Sequence, residues 1–144
     1  MASVEYVSGP RGEILIYQEG ATPASFAKGD LVRTDTAGQV VMATAGNILG
    51  IACKGYTSTQ GTRIPVELVT PAAIYRIASQ AGGTALAQVG LLADVVFGAG
   101  AHTVDETSPS TNELDIVGID PQDAIGTEGG KLLVRFRFKV IEAR

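Results

Sequence analysis

The segment KLLVRFRFKVIEA, residues 131–143, alternates its side chains with a period of two. Leu132, Val134, Phe136, Phe138 and Val140 fall on one side, and Leu133, Arg135, Arg137, Lys139 and Ile141 on the other. Successive strand residues point to opposite faces, whereas a helix would need apolar residues three and four apart. The segment therefore predicts a strand with one face in a core, and a strand needs partners to be stable.

The rest of the chain supplies them. EILIYQ (13–18) sets Ile14 and Ile16 against Glu13, Leu15 and Tyr17, and DLVRTD and QVVMAT flank TAG, where Gly38 suits the positive-φ position of a hairpin. NILGIACKG reads as a buried strand. TRIPVELVTP alternates Ile64, Val66 and Leu68 against Arg63, Pro65 and Glu67, and Pro65 points to an edge strand or a bulge. AIYRIA, DVVF and LDIVGID complete the series, while TSPSTN (107–112) reads as a surface loop and SQAGGTALAQVG as loop with room for one helical turn. About ten short strands separated by turn residues predict an all-β sandwich or barrel. The 18 glycines in 144 residues support the same reading, and no linker or repeat divides the chain.

Composition narrows the chemistry. A length of 144 residues suits one domain with its own core. The single cysteine, Cys53, rules out an intrachain disulfide. Glu5 interrupts any leader-like apolar run, and no run approaches the about 18 residues of a membrane helix, so a protein away from the membrane is expected. The net charge of −4 argues against nucleic acid as a direct ligand.

Catalytic and metal constellations find little support. Cys53 and His102 are unique, and Cys53 sits in the apolar word ILGIAC, as a packed residue would. One His and one Cys cannot build a structural zinc site. The carboxylates of 105–123 lack the spaced pattern of a calcium loop. GTEGGK (126–131) is one residue short of a phosphate loop and Leu132 stands where Ser or Thr is required, so it reads as a hairpin connection. KGD (28–30) reads as the start of a strand turned by Gly29. No catalytic residue, cofactor or metal is expected.

Charge distribution is more informative than charge total. Residues 94–128 hold eight acids (Asp94, Asp105, Glu106, Glu113, Asp115, Asp120, Asp123, Glu128) and no Lys or Arg, while 131–144 hold five bases against Glu142. The basic face of Arg135, Arg137 and Lys139 is either solvated or an interface, meeting the acidic block within the chain or on a neighbour. At the other end VEYVSGPRGEILIY mixes Val4, Tyr6, Val7 and Arg11 with turn residues. Residues 1–20 then read as a tail in solvent or as an arm that adds a strand to another subunit, with 21–144 as the β-rich domain. Val4, Tyr6, Val7, Arg11, Arg135, Arg137 and Lys139 are the candidate partner-binding residues.

The order FAKGDLVRTDTAGQVVMATAGNILGIACKG, GTRIPVELVTPAAIYRI, LDIVGIDPQD and GGKLLVRFRF resembles the small capsid decoration (cement) proteins of tailed bacteriophages. The resemblance spans most of residues 26–138 and leaves 1–25 and 79–113 uncovered. It implies a β-tulip-like domain, a homotrimer on the outer surface of the mature virion assembled in the host cytoplasm, and the major capsid protein as partner. It implies no catalytic residues. The alternative is a β-barrel module binding a ligand or calcium, or a small enzyme.

Overall fold

Branched and aromatic residues at alternate positions, punctuated by glycine, fold into eleven strands in the computed structural model, which describes residues 3–20, 25–80, 83–107 and 110–142. Met1 and Ala2 of the expected arm, Ser108 and Pro109 of the polar loop, and Ala143 and Arg144 of the C-terminus lie outside the described residues. The strands are β1 (Val4–Ser8), β2 (Ile14–Gln18), β3 (Leu31–Thr34), β4 (Val40–Met42), β5 (Gly50–Ala52), β6 (Arg63–Leu68) and β7 (Ile74–Ser79). β8 (Leu92–Val96), β9 (Thr103–Asp105), β10 (Leu114–Ile119) and β11 (Lys131–Phe136) follow, with 3₁₀ turns at Leu86–Gln88 and Phe138–Val140. The protein is all-β, and among the described residues no helix is long and apolar enough to cross a membrane.

Strands β7, β11, β10, β8 and β9 close a barrel through a parallel pairing of β9 with β7, Ala78 opposite Thr103 and Ser79 opposite Val104. β1 is the extra strand, pairing antiparallel with Ile74–Ile77 of β7. Since β11 covers the other edge of β7, β1 and β9 share one edge end to end, and β1 fills the seam that β9 leaves open. The inner face carries Tyr75, Ile77, Ala93, Val95, Val104, Leu114, Ile116, Leu132, Val134 and Phe136, all buried. Alternation of β11 puts Leu132, Val134 and Phe136 there, as the sequence predicts.

The second sheet runs β2-β6-β5-β3-β4, and the parallel bridge Glu19–Val40 joins its two ends. Both of its faces carry apolar side chains. Leu31, Ile48 and Ile51 join the barrel's core, while Val32, Leu49, Ala52, Ile64 and Val66 pack with Phe26 in a core of their own. Two buried faces explain the unbroken apolar words LV and ILGIA, because a strand covered on one side only would alternate. The β3–β4 hairpin turns on Gly38 at φ +75°, as expected, with Asp35 Oδ1 accepting the N–H groups of Ala37 and Gln39.

Two details differ from the sequence reading. Pro65 lies on β6, an interior strand, between β2 and β5. Leu68 donates to the Glu13 carbonyl and Glu19 to that of Thr62, so the bonded pairs with β2 fall at odd residues of β2 and Pro65, opposite Ile16, owes β2 no donor. On its other side Pro65 accepts the Cys53 N–H at 2.8 Å through its carbonyl and forgoes only the reciprocal bond, just past the end of β5. The second difference concerns β11, which stops at Phe136. Phe138 is 80% exposed rather than in the core, and Lys139 lies in the 3₁₀ turn, so Arg135, Arg137 and Lys139 do not form one strand face. The chain turns there to reach the second sheet: Ile48 donates to the Val140 carbonyl, Glu142 donates to that of Ile48, and Val140 enters the core.

Candidate functional site

Residues read as an arm contribute one strand to each sheet, and the turn between those strands carries Arg11 into the most distinctive polar cluster. The link SGPRG is tightly packed. Gly9 sits at φ +91°, and a Cβ on Gly12 would stand 1.9 Å from the Leu68 carbonyl oxygen, so only glycine lets the chain pass β6 this closely. Pro10 is tied down through its carbonyl, which accepts the Thr70 hydroxyl at 2.8 Å. Between these fixed points Arg11 lands over β6. Its Nε and Nη2 both lie 2.9 Å from Glu67 Oε1, and its guanidinium carbon lies 4.4 Å from the Tyr6 ring centroid. Tyr6 is held in turn by its hydroxyl, 2.6 Å from the Gly9 carbonyl oxygen, and by an edge-on contact with Tyr75.

Glu67 is the unusual member. Its side chain is 8% exposed, against 58% for Arg11, and its Oε2 has no hydrogen-bond partner. Both Arg11 nitrogens converge on the other oxygen instead of forming the two-pronged fork that would satisfy both. A cavity of about 310 Å³ adjoins the pair, walled by Val4, Tyr6, Lys28, Ile51 and Cys53. Burial pushes the Cys53 thiol up, which favours the protonated form over the thiolate.

The sequence therefore named Val4, Tyr6 and Arg11 of this cluster and missed Glu67, Lys28 and Ile51. Alternation assigned Glu67 to the polar side of β6, and nothing in PVEL signals that β1 and Arg11 cover that side. Val7 sits apart, half-buried at the β1 bulge between Tyr6 and Ser8. Glu5 anchors β1 to the barrel: its carboxylate meets Lys131 Nζ at 2.6 Å and Arg76 at 3.7 Å, and Arg76 also reaches Asp120 at 3.1 Å. The Lys131 hydrogen bond is the main reason the Glu5 carboxyl lies below its ordinary range.

The C-terminal bases lie elsewhere. Arg135 is exposed on β11 opposite Asp115, Lys139 is exposed, and Arg137 reaches only toward the Asn112 carbonyl oxygen at 3.5 Å. Much of the acidic block braces loops instead of facing them. Asp94 accepts the N–H groups of Ser110, Thr111 and Asn112. Burial alone would raise its carboxyl, and those donors outweigh it and hold it low. Glu113 accepts from Val95 and Gly46, and burial pushes its carboxyl up.

The remaining polar residues of interest are structural as well. Asp30 of KGD is fully buried and accepts from Ser3 Oγ, Ala27 N and Gly100 N. His102 is buried, accepts the Leu31 N–H at Nε2 and faces the Gly98 carbonyl at Nδ1, so it ties the second sheet to the barrel. GTEGGK closes the β10–β11 connection and ends on the first residue of β11, with Gly126 and Gly129 at positive φ. Among the described residues no group of three or more His, Cys, Asp or Glu is placed to hold a metal. The chain matches no protein-family model, no curated protein and no solved structure.

Proposed function

We propose that this chain is a virion structural protein: a decoration protein that binds the outer surface of a mature phage head as a trimer and strengthens contacts between major capsid proteins. The order of β words from FAKGDLV to LLVRF supports it, and the observation that carries it is the surface beside Arg11. There Ile14 and Ile16, at 57% and 59% exposure, form an apolar contact surface on β2, held in place by the tightly packed SGPRG link. Exposed apolar residues grouped on a rigid sheet suit a protein that works by adhesion. Many modest contacts repeated around a closed trimer add up to firm attachment without a deep site. Purified protein is expected to sediment as a trimer and to bind mature capsids but not unexpanded ones. A persistent monomer that ignores both would remove the proposal. The competing reading, a ligand-binding module, draws on the cavity beside Glu67, and it predicts a melting temperature raised by a small molecule rather than by capsids.

A further inference from the structure

β2 is paired on one edge over Ile14 and Ile16. Its bonded pairs with β6 involve Glu13, Leu15, Tyr17 and Glu19, so the N–H and C=O groups of Ile14 and Ile16 point to the other edge. Among the described residues that edge is met only further on, where Glu19 bridges Val40 and Gly20 donates to the Val40 carbonyl. Natural sheets usually protect such edges with lysine, proline, a bulge or a covering loop. Between Ile14 and Tyr17 the sequence places none of these residues, and both isoleucines stand exposed on the face they share with Arg63, Pro65 and Glu67.

Charge on that face selects the partner. Glu67 is neutralised by Arg11, and Glu5, at the cavity wall, is taken by Lys131 and Arg76. Arg63, opposite Gln18, is exposed and leaves the face beside β2 positive. We infer that β2 is a docking edge for an extended acidic segment of a partner protein, which adds as a strand alongside Ile14 and Ile16. Its main chain bonds the open edge, alternate side chains cover the isoleucines, and its carboxylates meet Arg63. The inference stands on this surface and not on the capsid reading.

The test uses the full chain, ¹⁵N-labelled, with a synthetic peptide alternating glutamate and valine and a counterpart alternating lysine and valine. The acidic peptide is expected to slow amide exchange at Ile14 and Ile16 and to bind about tenfold more tightly at low salt, with the preference shrinking as salt is added. Ile16→Pro removes an outward donor while leaving the β6 ladder, and should weaken binding about tenfold as well. Arg63→Glu, a surface change that leaves the fold intact, should abolish the preference for the acidic peptide. Equal binding of both peptides, or shifts confined to another surface, would overturn the inference. So would protection of Ile14 and Ile16 that rises with protein concentration in the absence of peptide, because the edge would then belong to a second copy of this chain.

Discussion

Arg11 and Glu67 show how a residue's surroundings set its value. The ion pair is half in water, so its Coulomb energy is screened, but removing Arg11 strands a carboxylate that is itself buried. Arg11→Met is expected to cost about 1–2 kcal/mol in denaturant unfolding. Adding Glu67→Gln should recover part of that loss. A single change with no effect would show that the cavity already solvates Glu67. His102 offers a pH test. Burial lowers its pKa below 6.5, and Asp30 nearby opposes the shift without reversing it. The folded protein therefore prefers the neutral ring, which keeps Nε2 free to accept from Leu31. This contribution is complete above 6.5 and is lost as pH falls from 6.5 toward the lower folded value. Glu113 runs the other way: its raised pKa stabilises the fold below 4.5, and that gain fades as pH rises through the folded value. Stability measured from pH 7 downward should first fall, and His102→Ala should remove that slope while lowering stability throughout. A slope unchanged by the substitution would assign it to another group.

Individual elements show where the code of alternation stops. Phe136 and Phe138 look equivalent in FRF, yet one is in the barrel core and the other is 80% exposed. Phe136→Ala should cost about 3–5 kcal/mol by calorimetry or denaturant melting, whereas Phe138→Ser should stay within about 0.5 kcal/mol. Comparable losses would mean that β11 continues past Phe136. The link between β1 and β2 is equally specific. Gly12→Ala places a methyl against the Leu68 carbonyl, at a clash distance of 1.9 Å that no flexible side chain can relieve. Melting is expected to drop by several degrees, about the effect of 1 kcal/mol or more in a domain near this size. The β3–β4 hairpin, by contrast, was readable in full from TDTAG, because its turn is made by local residues alone.

At the scale of the molecule the chain is a barrel and a second sheet fastened by polar bolts: His102 to Leu31, Glu142 to Thr34, and Asp30 to Ser3 and Gly100. Of the alternatives for the basic C-terminus, a meeting with the acidic block within the chain is seen at Asp115, which stands opposite Arg135 across β10 and β11. Asp94 and Glu113 are spent on backbone donors, and Arg135 and Lys139 stay exposed. If that surface attaches the protein to a shell, Arg135→Glu with Arg137→Glu should weaken capsid binding most at low salt, read by co-sedimentation. Unchanged binding at low ionic strength would leave those residues to solvent.

The sequence by itself determined most of the strands and turns, and the inward face of β11 as far as Phe136, because these depend on period, on glycine and on side-chain shape within a few residues. Ile14 through Tyr17 could be recognised as a strand, and Leu132, Val134 and Phe136 as core, without any neighbour in view. Only the tertiary structure decided what each polar residue is for. Glu67, Asp30 and His102 are ordinary letters in PVEL, KGDL and GAGAHT, and they become buried anchors because residues 27 to 71 positions away fold over them. That distinction is physical: alternation is a property of the chain, whereas desolvation belongs to the surface that closes on it.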